Sequence, residues 1–206
     1  MPNYINNGDV SSLLKPSKKN AVSIELLQTA KIDDWLKAAT PAKQEWIKAN
    51  NFTAKDGEVI TFSNTDGKMG HVLVGIGEDG VTPWFFSGVA GKLPDGTYKI
   101  ITELNDQDAS SAAFGWAMAH YQFDQYLQDK NKKSAYLIVP NNCDYDHVAA
   151  IVNGTSLTRD LVNIPTCDMG PSELEGVAIE LAKTNLLILN SIEQVIKFED
   201  AITLFS

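Results

Sequence analysis

The sequence is poor in groups that crosslink a chain, cross a membrane or hold nucleic acid. Its two cysteines, Cys143 and Cys167, make neither a disulfide framework nor, by themselves, a zinc site. No run approaches the ~18–20 apolar residues of a membrane-crossing helix. The opening Met-Pro-Asn-Tyr-Ile-Asn-Asn-Gly-Asp has neither the basic start nor the apolar run of a secretory signal. Positive charge is scarce, with 17 Lys and Arg against 26 Asp and Glu, a net charge of −9. A phosphate binder needs a basic face, and the two dense basic runs, Lys15–Lys18–Lys19 and Lys130–Lys132–Lys133, read as solvated ends of elements. These absences predict a cytoplasmic chain with no nucleic-acid partner and no membrane contact. Metallopeptidase, α/β-hydrolase and P-loop signatures (H-E-x-x-H, G-x-S-x-G, G-x-x-x-x-G-K-[ST]) are missing.

What is present is ordinary globular material: 44% hydrophobic and 21% charged residues, enough apolar surface to offset the entropy of ordering. Residues 1–20 are polar and predict a loose arm. Ala21–Gln28 predicts a strand. A short helix begins at Asp33-Asp34-Trp35-Leu36 and stops before Pro41. A second has Thr40 as N-cap and Pro41 at its first position, with Trp46 and Ile47 inward. Glu58–Ser63 and His71–Gly77, joined by Asn64-Thr65-Asp66-Gly67-Lys68, predict a hairpin.

Pro94-Asp95-Gly96-Thr97 predicts a turn in which Gly96 supplies a positive φ, followed by a strand over Tyr98–Glu103. The stripe Ala109, Ala112, Ala113, Trp116, His120, Phe123 and Leu127 predicts one long helix over 107–129. Ser134–Val139 reads as a buried strand. A helix capped by Asp144 or Asp146 follows, with Ala150, Gly154, Leu157 and Leu161 on one face and an end near Asn163, before Pro165. Pro171 opens a further helix with Leu174, Val177, Ala178 and Leu181 inward. Leu186–Leu189 and Glu193–Phe205 predict a last strand and a terminal helix. Helices interleaved with apolar strands make the class α/β.

Three local patterns invite a chemical reading. Gly75-Ile76-Gly77-Glu78-Asp79-Gly80 matches the dinucleotide pattern G-x-G-x-x-G, but Glu78 and Asp79 sit where phosphate would approach, and no Lys or Arg lies between Met69 and Gly91. A strand end followed by a turn explains it better. Cys143, Asp144, Asp146 and His147 cluster, yet aspartates are favoured where a helix begins, and no second group of spaced ligands accompanies them. Cys167 would be a nucleophile only beside a histidine base. Trp116, Phe123 and Tyr126 read as core rather than as a ligand box.

A longer segment is more specific. Ser156-Leu157-Thr158-Arg159-Asp160-Leu161-Val162-Asn163-Ile164-Pro165, then Gly170-Pro171-Ser172-Glu173-Leu174 and Ala178, resembles the boundary segment of the leucyl (cytosol) aminopeptidase family. Gly115–Tyr126 is similar to that family's long helix, Val72–Gly77 to its central strand, and Trp35-Leu36, Trp46-Ile47 and Gly57 to one of its branches. The likeness covers about residues 30–184.

It implies a three-layer, macro-domain-like α/β domain with a mixed sheet over residues 21–165, followed by a linker helix and divergent tail over 166–206. Arg159, Asp160, Asn163, Pro165 and Pro171 would be structural signature residues. In the family, a separate C-terminal domain holds two divalent metals (Zn, Mn or Mg), which activate the water that releases N-terminal residues, within a hexamer. The family's metal-binding Asn-Thr-Asp-Ala-Glu-Gly-Arg run is missing; Asn64-Thr65-Asp66-Gly67 shares three letters but lies in a turn. The expectation is therefore a domain with no catalytic, cofactor or metal residues of its own, inactive alone, and a monomer or weak dimer. The rival readings are a truncated leucyl aminopeptidase and a macro-domain-type binder of an ADP-ribose-like ligand near Gly75–Gly80.

Overall fold

The computed structural model describes residues 13–15, 21–78, 80–82, 84–127 and 135–184. The expected last strand and terminal helix lie outside the described residues.

Six strands form one sheet in the order β1-β6-β5-β2-β4-β3. They are β1 (Leu14–Lys15), β2 (Val22–Leu27), β3 (Val59–Ser63), β4 (Met69–Gly75), β5 (Gly96–Ile100) and β6 (Ala135–Ile138). Every neighbouring pair is parallel except the β3–β4 hairpin, so the sheet is mixed. The hairpin turn closes through Gly67, whose φ of +78° a residue with a side chain adopts at a cost. Strand β1 corrects the loose-arm reading of 1–20 at this point: Leu14 pairs with Leu137 and is buried. An apolar pair flanked by polar residues is too short to register as a period-two pattern.

Two helices, α1 (Ile32–Ala38) and α2 (Pro41–Ala49), belong to one face; α3 (Phe85–Ala90), α4 (Asp106–Ala119) and the first part of α5 (Tyr145–Asn163) belong to the other. Strand alternation sorts the core accordingly. Ile24, Leu26, Val72, Val74, Tyr98 and Leu137 pack with the α3–α5 side, whereas Leu27, Ile60, Phe62 and Leu73 pack with Ile47 of α2. The result is three layers.

Several boundaries differ from the sequence reading. Helix α4 ends at Ala119, with His120 as its C-cap, rather than running to 129. The periodic residues continued past the end of the backbone ladder, and Leu127 is exposed. Strand β5 begins at Gly96, without positive φ, and stops at Ile100; Ile101 N–H still donates to the Ile24 carbonyl at 2.8 Å, but the next link to β2 runs through the Thr102 side chain, and Ile101 itself is exposed. On α5 the buried residues are Val148, Val152, Ser156 and Asp160; of the expected face, Ala150 and Gly154 are exposed, whereas Leu157 and Leu161 are half-buried against the Ile164–Val177 cluster. Trp46 is 49% exposed although Ile47 is buried; its indole stays outside because Nε1 donates to the Thr61 carbonyl at 3.1 Å.

The chain divides into two compact units. The described part of the larger lies within residues 13–122, 126–127 and 135–156 and holds the sheet. The described part of the smaller comprises 123–125 and 157–184, including α6 (Pro171–Thr184), with its own cluster around Ile164 and Val177, joined by Phe123, Leu157, Leu161 and Leu181. Leu174 does not join it and is 52% exposed.

Tyr98 gives the sheet a measurable alkaline limit. Its hydroxyl donates to the Pro94 carbonyl at 2.7 Å. Burial, reinforced by the charge of Asp95, pushes its phenol up to about 12. A raised folded-state value means that the contribution to stability is complete below the unfolded value near ~10 and declines as pH rises towards 12. Urea melts at stepped pH should show a shallower loss between those values in Tyr98→Phe than in the parent chain. Equal slopes would show that Tyr98 ionises as freely folded as unfolded.

Candidate functional site

The glycine pattern at the carboxyl end of β4 is closed. Gly75 N–H donates to the Glu58 carbonyl at 2.9 Å, Ile76 N–H to Leu27 at 3.0 Å and Gly77 N–H to Ala54 at 3.2 Å. A pyrophosphate cradle needs these amides turned towards a ligand; here backbone carbonyls already occupy them. Gly75 is glycine for packing: a Cβ there would lie 2.3 Å from the Lys55 carbonyl oxygen. Helix α3, which follows, has only 6 residues.

The Cys143–His147 cluster is the start of a helix. Asp144 Oδ1 accepts from His147 N–H at 3.1 Å, so that of the two aspartates the sequence offered as N-cap, Asp144 makes the bond. Burial pushes the Cys143 thiol up, with the Asp144 charge adding to it and a Ser110 hydrogen bond opposing, which keeps it from the thiolate form that would ligate or attack. Among the described residues no group of three or more His, Cys, Asp or Glu is placed to hold a metal ion. Among the described residues, then, none fit the two metals that the family resemblance implies. Cys167 is free and exposed, in the turn after Pro165.

The signature run is the end of α5 and the start of α6. Asp160 is 5% exposed, Arg159 half-buried, and Asn163, Pro165 and Pro171 exposed. Pro165 ends the helix as expected, and its carbonyl accepts from Asp168 and Met169 N–H at 2.9 and 3.1 Å. Gly170, lacking a hydroxyl, supplies no side-chain cap to α6. Glu173 makes the reciprocal half of a capping box, its Oε2 accepting from Gly170 N–H at 3.0 Å.

Two clefts remain. One of about 600 Å³ lies at the carboxyl ends of β5 and β6, where open α/β sheets present ligand sites. Two of its polar side chains are used internally: Thr102 Oγ1 accepts from Leu26 N–H at 2.8 Å and Asn142 Nδ2 donates to the Leu104 carbonyl at 2.8 Å.

The other was missed by the sequence reading. Beside α1 and α2, Glu25 accepts from Trp35 Nε1 at 3.0 Å, and its second oxygen lies 3.1 Å from His71 Nε2. Those hydrogen bonds, His71 first, with the nearby charge of Lys43, hold the Glu25 carboxyl below its ordinary value against the opposing effect of partial burial. His71 stacks on Phe62 and Phe62 on Trp35, with centroids 5.6 and 6.1 Å apart. The available signal was a glutamate inside one apolar strand and a histidine early in another. Only the parallel β2–β4 pairing makes them neighbours.

Fold and site together define an α/β domain with no metal-binding set among its described residues. The sequence matches the family described as M17 aminopeptidase, N-terminal domain, over residues 22–140, more than half of the chain. The chain belongs to that family. The match ends before the Arg159–Pro171 signature. Among solved structures the chain is similar to cytosol aminopeptidase from Coxiella burnetii, with a TM-score of 0.74 and 28% identity over 82% of this chain and 36% of that one. It shares the fold of the bottromycin maturation enzyme BotP, at TM-score 0.59 and 22% identity over 80% of this chain and 38% of that one. It also shares the fold of a tomato leucine aminopeptidase mutant, at 0.56 and 15%, over 84% and 45%. The chain thus spans less than half the length of each. No curated protein matches the sequence. Among the described residues no helix is long and apolar enough to cross a membrane.

Proposed function

We propose that this chain acts as the macro-domain-type, non-catalytic module of a cytoplasmic leucyl aminopeptidase. The parent reaction, release of N-terminal residues by two divalent metals, belongs to the family's separate catalytic domain. The family match over 22–140 carries the reading. Val162, 78% exposed, and Leu174, 52% exposed, support it, because large apolar side chains left in water on the family's boundary segment suit contact with a further domain. Arg159, Asp160, Asn163, Pro165 and Pro171 shape that segment and touch no substrate. Alone, the chain is a monomer or weak dimer.

The test is hydrolysis of a leucine anilide by the purified chain, with and without millimolar Mn or Zn. Two-metal hydrolysis needs carboxylates converging so that both ions sit roughly 3.5–4 Å apart. The expected result is no turnover above the metal-only background. Turnover that survives repurification and disappears when Asp144 and Asp146 are both changed to Asn would overturn the reading.

A further inference from the structure

Lysines on the two helices of the α1–α2 side are treated differently. Lys37 and Lys48 reach acids one turn away, Asp34 at 2.8 Å and Glu45 at 3.0 Å. Lys43 does not. Its half-buried side chain holds the ammonium 5.2 Å from the Phe62 ring centre and 5.9 Å from that of Trp35, and no carboxylate among the described residues is within ion-pair distance. Ring faces attract a cation but do not neutralise it. The charge that acts on it is that of Glu25 in the adjoining pocket, beyond ion-pair distance, which leaves the position in contact with the ammonium open to an anion.

The space beside it has the shape and chemistry to be filled. A cleft of about 460 Å³ is lined by Thr40, Lys43, Trp46, Thr61, Phe62 and Ser63. That lies within the range of small-ligand sites. Buried Phe62 contributes an apolar surface and Trp46 an exposed ring, fixed by its hydrogen bond to Thr61, so little rotamer freedom remains to be lost on binding. An adjoining pocket of about 270 Å³ shares Thr40 and Lys43 and adds Glu25 and Trp35. Glu25 receives one donor on each oxygen, Trp35 and His71, which leaves acceptor capacity on both. A fixed cation with a fixed anion in the adjoining pocket, next to aromatic surface, complements a zwitterion with an apolar side chain.

We propose that the cleft between α2 and β3, continued to Glu25, binds a free apolar α-amino acid: carboxylate on Lys43, ammonium towards Glu25, side chain against Trp46 and Phe62. This rests on the cleft itself and goes beyond the aminopeptidase reading.

The test uses the full chain and the indole N–H signals of its 4 tryptophans in two-dimensional NMR, with Trp46 assigned through Trp46→Phe. L-phenylalanine, N-acetyl-L-phenylalanine and L-phenylalaninamide are titrated separately to roughly 10 mM. L-phenylalanine is expected to shift the Trp46 signal saturably. The acetylated and amidated forms, each lacking one charge, should bind several-fold more weakly. Lys43→Gln, with its melting temperature checked against the parent, should weaken L-phenylalanine by about tenfold or more, as loss of a charge-assisted hydrogen bond does. No saturable shift, equal binding of the amide, or unchanged binding in folded Lys43→Gln would overturn the proposal. Binding of the acetylated form as tight as that of L-phenylalanine would overturn the amino-acid assignment in favour of a peptide C-terminus.

Discussion

Trp116→Ala should destabilise the chain by about 3–5 kcal/mol, the range for large-to-small changes at fully packed aromatic positions. Trp116 is 0% exposed at the centre of the α3–α5 side of the core. Its ring lies 5.5 Å from that of Tyr98 and 6.5 Å from that of Phe86, so it joins β5 to α3 as well as to its own helix. Its Nε1 also donates to the Ala135 carbonyl of β6 at 3.0 Å, a buried acceptor that truncation would leave without this partner. Trp116→Phe separates the two contributions, keeping an aromatic ring while removing the donor, and should cost about 1–3 kcal/mol. Urea melts of the three proteins measure this. A loss under about 1 kcal/mol for the alanine variant would mean that the core closes over the vacancy without strain.

Gly75→Ala should be comparably damaging for the opposite reason, too much material. The added Cβ would lie 2.3 Å from the Lys55 carbonyl oxygen, 2.4 Å from the Ala54 carbonyl carbon and 2.7 Å from its Cα. Relief requires the 54–57 loop to retreat, and that loop is tied. Ala54 accepts from Gly77 N–H at 3.2 Å and from Thr29 Oγ1 at 2.9 Å, while Gly57 N–H donates to Gly75 at 3.1 Å. Ala54 already holds a left-handed φ of +57° at 0% exposure. Overpacking against immobile backbone belongs at the upper end of its usual cost, about 3 kcal/mol. Denaturant melts test it; a near-neutral substitution would show that the loop yields.

Much of the fold was legible because the relevant signals are local. Strands β2, β3, β4 and β6, the hairpin, Pro41 at the start of α2, Asp144 at the start of α5 and Pro165 at its end follow from periodicity and capping chemistry. The misreadings share a cause. Periodicity continues wherever apolar residues happen to recur, so it could not locate the end of α4 at Ala119 or exclude exposed Leu127. It also put Trp46 inward, when a single indole hydrogen bond to Thr61 holds the ring outside. The closure of the glycine pattern depended on the carbonyls of Leu27, Ala54 and Glu58, which sequence spacing does not reveal. The Glu25–His71–Lys43 arrangement joins β2, β4 and α2, so no window of the sequence contains it.

The pairing order of the sheet bears on how the chain is born. Strand β2 is the central strand that leaves the ribosome early, yet its partners β4 and β5 end at Gly75 and Ile100, and β1 finds its partner only in β6. At about 5–20 residues per second, roughly 4–15 seconds separate synthesis of β2 from that of β5. Until β4 is complete, roughly 2–10 seconds after β2 at the same rate, Val22-Ser23-Ile24-Glu25-Leu26-Leu27 has no strand partner, and its β5 side stays open to the end of the longer interval. A sheet assembled from such distant partners condenses slowly. Expression temperature and chaperone supply should therefore govern the soluble yield of this domain more strongly than its final stability does.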